Sequence, residues 1–209
     1  MTIGRRGLIL AVVAGVGGMY ALRAVRPDGD VIEQPDLTDS VLRAEGPRAG
    51  ADDAAVRMAV FTDYRCPNCR AAHAPMMAAA ADADVLLLLR DWPVLGPQSE
   101  RAARIAIAAD AQGRYLAVHD GLMKAAALDD ASLERAVLDA GADWSAAQAG
   151  ANGPIVTDRL QQNGNQAFAL GLRGTPGYLA GPIRVEGALD EAGFARLFER
   201  AAREQERQG

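Results

Sequence analysis

The chain contains two cysteines, Cys66 and Cys69, within the stretch FTDYRCPNCRAAH. Thiols two residues apart can exchange disulfides, form a structural disulfide, or supply half of a metal site. Exchange needs a thiolate that attacks sulfur and a second thiol that resolves the mixed disulfide. Two cysteines cannot build a disulfide framework, and they are half of a four-cysteine zinc site. The surrounding sequence favours exchange. The run VRMAVFT, residues 56–62, reads as a buried strand, and the Ala-rich residues 71–81 read as a helix. Pro67 suits a first helical position, where its missing N–H costs nothing. That makes Cys66 the expected N-cap, its sulfur facing the free N–H groups of Asn68 and Cys69 and the positive end of the helix dipole. A helix N-terminus and a Cys-x-x-Cys spacing both favour the thiolate.

Other polar groups nearby have a sharp and a plain reading. His73 lies four residues after Cys69 and seven after Cys66, on one helix face with both. A Cys2His site for Cu(I) or Zn(II) is the sharp reading; a helix-surface histidine is the plain one, and nothing supplies a fourth ligand. Asp63 could take a proton from Cys69 during resolution or act as a helix-entry acid. Tyr64 reads as a packed aromatic or a group lining the site. His119 reads as core packing by its helical period. Met76, Met77 and the stripe Tyr115, Leu122 and Met123 read as core rather than as a peptide-binding surface.

The elements that must position the pair follow from the rest of the chain. Its 209 residues are half apolar and 23% charged, a globular profile with room for one domain and a tail. Net charge is −5, which argues against a nucleic-acid surface. The basic residues are nearly all Arg, and with the many Ala this fits a GC-rich, bacterial genome. Residues 1–26 read as a signal peptide or membrane anchor: Arg5 and Arg6 precede an uncharged, mostly apolar stretch at 7–22, short of the roughly 20 residues of a span. Residues 27–50 read as an acidic linker with one short helix at 37–44. The domain is expected over 51–209. Pro75 should kink the cysteine helix, and VLLLLR at 85–90 should be a strand buried on both faces. Residues 95–171 read as a block of helices, one of them capped by Ser99 and the last opened by Pro154. GYLAGPIRV reads as a hairpin turning at Gly181-Pro182. Phe194, Leu197, Phe198 and Ala201 form one apolar stripe on a closing helix capped by Asp190. Strand, helix, strand, helical block, hairpin and helix imply a layered α/β domain with an inserted helical lobe.

At this point FTDYRCPNC, the helical insertion and GTPGYLAG resemble the DsbA-like thioredoxin-fold thiol:disulfide oxidoreductases of the bacterial envelope, and WPVLGPQSERAARIAIAADAQGRYLAVHDGLM resembles the insertion of the branch with a Tyr-Asp pair before its site. The resemblance covers about residues 52–201. It implies a thioredoxin-like fold with the helical insertion between the second strand and a cis-Pro hairpin. It implies that Cys66 is the exposed nucleophile and Cys69 its buried partner, with Thr175 and a cis Pro176 beside them binding an extended substrate chain and keeping metal off the sulfurs. Pro67, Asn68 and Asp63 would modulate the site. Two departures stand out: Asn68 where strong oxidants have histidine, and Gly177 where many members have a larger β-former. The function expected is oxidation of reduced proteins in the periplasm or cell envelope through Cys-Pro-Asn-Cys, with reduced or misoxidised envelope proteins as partners. A membrane redox partner would reset the pair, with no cofactor, no bound metal and a possible N-terminal tether. An isomerase or reductase using the same residues is the nearest alternative, and a copper-binding or chaperone module the alternative from another class.

Overall fold

The computed structural model describes residues 29–208, so the signal or anchor expected at 1–26 lies outside the described residues. Strands β1 (Asp30–Val31), β2 (Arg48–Ala49), β3 (Val56–Thr62), β4 (Val85–Asp91), β5 (Gly177–Ala180) and β6 (Ile183–Glu186) form one sheet, in the order β1-β6-β5-β3-β4-β2. β3 and β4 run parallel, and the other pairs are antiparallel. The parallel pair is joined by α1's successor in the chain, the cysteine-bearing helix α2 (Pro67–Ala81); α1 itself is Pro35–Leu42. α2 includes Pro75 within its length.

Alternation along β3 splits the core. Val56, Met58 and Val60 face a large cluster shared with α2 and with α8 (Glu191–Gln208), while Ala59 and Phe61 face a smaller one that includes Val41, Leu42 and Leu170. β4 is buried at every position, as a strand covered on both faces must be. Phe194, Leu197, Phe198 and Ala201 of α8 are all buried, and Asp190 Oδ1 accepts from Gly193 N at 2.7 Å at its start. The hairpin turns at Gly181, whose φ of 50° suits glycine.

Residues 29–50, expected as a linker, are part of the domain instead. β1 pairs with β6, and Ile32 N donates to Pro182 O at 2.7 Å. β2 pairs with β4, and Leu89 N donates to Pro47 O at 2.9 Å. The helix lies at Pro35–Leu42, two residues ahead of the expected start. Arg90 explains part of this docking. It is 1% exposed, and its guanidinium donates to the carbonyls of Ala44 (2.7 Å), Val41 and Glu45 (both 3.4 Å). Burial pulls its pKa down to about 10, so it stays charged at neutral pH and three carbonyl dipoles solvate it.

Between β4 and β5 the chain builds a lobe of five helices: α3 (Pro97–Asp110), α4 (Tyr115–Lys124), α5 (Asp130–Asp139), α6 (Trp144–Gly150) and α7 (Pro154–Ala169). Gly96, not Ser99, is the N-cap of α3; Ser99 lies in the first turn and turns its hydroxyl elsewhere, as described below. Among the described residues no helix is long and apolar enough to cross a membrane.

Candidate active site

β3 ends at Thr62, a four-residue turn follows, and α2 starts at Pro67 with Cys66 as N-cap in an extended conformation. Cys66 N donates to Asp63 O and Arg70 N to Cys66 O, both at 3.1 Å. The Cys66 sulfur makes no cap bond to the helix N–H groups, contrary to expectation. Its Sγ donates to the main-chain oxygen of Thr175 at 3.2 Å. Sheet register accounts for this. Phe61 pairs with Gly177, so the residues preceding β5 lie beside the residues following β3. The Thr175–Pro176 peptide bond is cis.

Both thiols are free, and both are buried: Cys66 is 6% exposed and Cys69 3%. Cys66 therefore sits beneath the Thr175 carbonyl rather than standing clear as an exposed nucleophile. Its neighbours Arg65, Pro67 and Asn68 form the exposed rim. Burial pushes the Cys69 thiol up to about 12, against hydrogen bonds from the Thr62 hydroxyl, the Asp63 main chain and the Thr175 hydroxyl that pull the other way. Thr175 thus bears on both thiols, accepting from Cys66 through its main-chain oxygen and lowering the Cys69 pKa through its side chain. Tyr178 lies close to both: burial raises its phenol far above the usual range, and charge on Cys69 and Cys66 adds to that.

Asp63 is a clamp. Oδ1 accepts from Arg65 N and Ser99 Oγ, both at 2.7 Å; Oδ2 accepts from Val94 N at 2.8 Å and Leu95 N at 2.9 Å. Both oxygens of this buried carboxylate are spent on fixed donors, which leaves none aimed at Cys69 to take its proton. It joins the cysteine-bearing turn to the loop that leads into α3. Arg65 completes the join, donating to Leu95 O at 2.6 Å.

His73 is buried, not on the helix surface. Its Nε2 pairs with Asp120 Oδ1 at 3.0 Å, and its ring centroid is 5.2 Å from that of His119. His119 packs, as expected, stacked on Tyr115, and its Nδ1 also bonds Tyr64 Oη at 2.8 Å. Among the described residues no group of three or more His, Cys, Asp and Glu side chains converges to hold a metal ion.

Three residues near the site carry no signal in sequence pattern. Arg70 ties the turn to the lobe, donating through Nε to Tyr64 O at 2.6 Å and through Nη1 to Ala125 O. Asp91, at the end of β4, accepts from Tyr115 Oη at 2.8 Å deep in the protein. Leu172 explains Gly177: a Cβ there would come within 2.8 and 2.9 Å of the Leu172 methyl carbons, so Leu172 fills the space a larger residue would take.

Comparison with known proteins agrees with this architecture. A family model for the DsbA-like thioredoxin domain matches residues 57–199. A thioredoxin-like oxidoreductase from Silicibacter pomeroyi DSS-3 superposes with a TM-score of 0.75 at 33% identity, covering 79% of this chain and 97% of that one. A periplasmic thioredoxin-like protein from Salmonella enterica serovar Typhimurium gives 0.68 at 26% identity, over 83% and 99% of the two chains. The catalytic domain of Proteus mirabilis ScsC gives 0.73 at 24% identity, over 82% and 99%, a likeness of fold. No curated protein matches. With the family model spanning most of the domain, the chain belongs to the DsbA-like thioredoxin family of thiol–disulfide oxidoreductases.

Proposed function

We propose that the chain oxidises thiols of envelope proteins through Cys66 and Cys69. In the oxidised enzyme a substrate thiolate attacks Cys66 Sγ. The Cys66–Cys69 bond breaks, a substrate–Cys66 disulfide forms, and Cys69 leaves as a thiolate that takes up a proton. A second substrate thiolate then attacks the substrate sulfur, and Cys66 leaves as the thiolate. Two electrons have passed to the enzyme, and a membrane redox partner takes them back. The high thiol pKa of Cys69 favours its protonated form after it leaves.

The observation that carries this reading is the 3.2 Å contact between Cys66 Sγ and Thr175 O. It puts the main chain ahead of Pro176 beside the reacting sulfur, where an extended substrate strand could pair. Pro67 and Asn68 line the rim and Asp63 holds the turn. An envelope location is supported by Arg5, Arg6 and the apolar stretch at 7–22, and by the periplasmic description of the Salmonella relative. The decisive experiment is trapping. Cys69→Ser should accumulate mixed disulfides with envelope proteins through Cys66, and Cys66→Ser should accumulate none. Tight, stoichiometric Cu(I) on the reduced protein with negligible exchange would instead establish the copper-binding alternative.

A further inference from the structure

Beneath the active-site turn, four buried side chains from three elements share one hydrogen-bonded cluster. Tyr64 comes from the turn, Asp91 from β4, and Tyr115 and His119 from α4 of the helical lobe; each is at most 2% exposed. Two hydroxyls approach one nitrogen. Tyr64 Oη is 2.8 Å from His119 Nδ1, and Tyr115 Oη is 3.4 Å from the same atom while donating to Asp91 Oδ2 at 2.8 Å. In the tautomer with its hydrogen on Nε2, the neutral imidazole offers Nδ1 as its one acceptor nitrogen, and the in-plane lone pair there takes one strong hydrogen bond. The two tyrosines therefore compete for it.

We propose that Asp91 is a positioning residue whose proton decides which tyrosine holds His119, and so how firmly the active-site turn is anchored to the helical lobe. With Asp91 ionised, its charge draws the Tyr115 hydroxyl hydrogen, as charge-assisted bonds outcompete neutral ones. His119 Nδ1 is then left to Tyr64, two residues before Cys66. With Asp91 protonated, its own O–H can donate to Tyr115 Oη. The Tyr115 hydrogen is freed to turn to His119, and Tyr64 loses its acceptor. The one bond made and broken is the carboxyl O–H, as a single proton moves on and off Asp91.

The charged and titratable surroundings are consistent with such a role. Among the described residues, Asp91 Oδ1 has no hydrogen-bond partner. Arg90, its chain neighbour, is turned to the carbonyls of residues 41–45. On α7, Arg159 pairs with Asp110 at 2.7 Å and acts on Asp91 only through its field, while Asn163 donates to the Asp91 main-chain oxygen at 2.9 Å. From the turn, Tyr64 is a second neighbour of the carboxylate, and Asp63 opposes its charge. Around His119 stand His73 and, beyond it, Asp120, which Lys124 holds at 2.6 Å. Burial pushes His119 down to about 3, keeping it neutral, and lifts Asp91 to about 6, within reach of mild acidification.

The inference extends the proposed exchange reaction to its pH dependence and is tested by two variants with opposite expectations. Asp91→Asn mimics the neutral acid, and Tyr115→Phe removes the competitor. The readouts are the rate of oxidation of the reduced protein by glutathione disulfide and the nitrogen resonance of His119 Nδ1. Ratios of rates remove any pH dependence that the three proteins have in common. Wild type over D91N should be near one at about pH 5 and rise to about threefold or more above about pH 7. Wild type over Y115F should be below one at the acid end and near one above it. The Nδ1 resonance of wild type should move with pH between the D91N and Y115F positions. Ratios flat with pH for both variants, or one Nδ1 resonance common to all three proteins, would overturn it. If D91N does not fold, Y115F and the resonance decide. A wild type with no exchange at all refutes the proposed function, while the resonance still decides the switch.

Discussion

The Sγ of Cys66 donates to the main-chain oxygen of Thr175 at 3.2 Å across 109 positions of sequence. The Thr175 hydroxyl meanwhile pulls the Cys69 thiol pKa down, so one residue acts on both members of the pair. Only the side-chain contact can be removed without moving the backbone. Thr175→Val should leave substrate capture at Cys66 nearly intact. It should slow the step in which Cys69 attacks or leaves by about five- to tenfold, roughly one hydrogen bond to a charged sulfur. The lifetime of a mixed disulfide with a model peptide measures this, and Thr62→Val should act in the same direction.

Asn68 is exposed on the second residue of α2, beside Cys66. It can donate hydrogen bonds but adds no positive charge near the sulfur. The reduced form is therefore less stabilised than it would be beside a histidine, and the pair should be less oxidising than the strong-oxidant end of the scale, about −120 mV. Asn68→His should raise the potential by about 30 mV or more, equivalent to about 1.4 kcal/mol. Equilibration with glutathione redox buffers gives both values; an unchanged potential in N68H would count against charge as the control.

The Asp63 clamp sets a stability expectation. Asp63→Asn replaces a four-lone-pair acceptor with a group that brings two donors of its own, into a site that already supplies four. A loss of about 3 kcal/mol or more is expected from breaking this buried network. Ser99→Ala removes one of the four bonds and should cost about 1–2 kcal/mol. Urea unfolding of both variants checks the ratio.

Asp91 makes stability fall with rising pH over a definite window. Burial raises its pKa from about 4 in the unfolded chain to about 6 in the folded one. The folded state binds the proton more tightly, so this contribution is fully present below about pH 4, declines as pH rises towards 6, and is lost above it. The difference in unfolding free energy between wild type and Asp91→Asn should shift by about 3 kcal/mol in favour of the variant across that window and stay level at higher pH. Urea unfolding at a series of pH values measures it. A difference constant from about pH 4 to 8 would show that Asp91 keeps its solution pKa.

What was legible in the sequence was whatever repeats or stands at a fixed offset. β3, the α2 start at Pro67, the hairpin at Gly181-Pro182 and the stripe from Phe194 to Ala201 all have a period or a punctuating residue. β1 and β2 are two residues each, too short for any period, so the segment carrying them reads as linker. Arg90 reads as the polar end of an apolar run, because its partners are main-chain carbonyls that no side-chain pattern announces. His73 and Asp120, on separate helices, meet only when α4 packs across α2. Asp63 is visible as an acid before a helix, but its donors come from residues 65, 94, 95 and 99, and three of those are set by tertiary folding.

The short strands β1 and β2 have a bearing on how the protein can be handled. They are the outermost strands of the sheet, one on each side, and both precede the cysteine-bearing turn in the chain. A shortened protein beginning at residue 51 would keep both cysteines and the whole helical lobe. It would leave β6 and β4 bare along their outer hydrogen-bonding rims, two sticky borders ready to recruit a neighbouring copy.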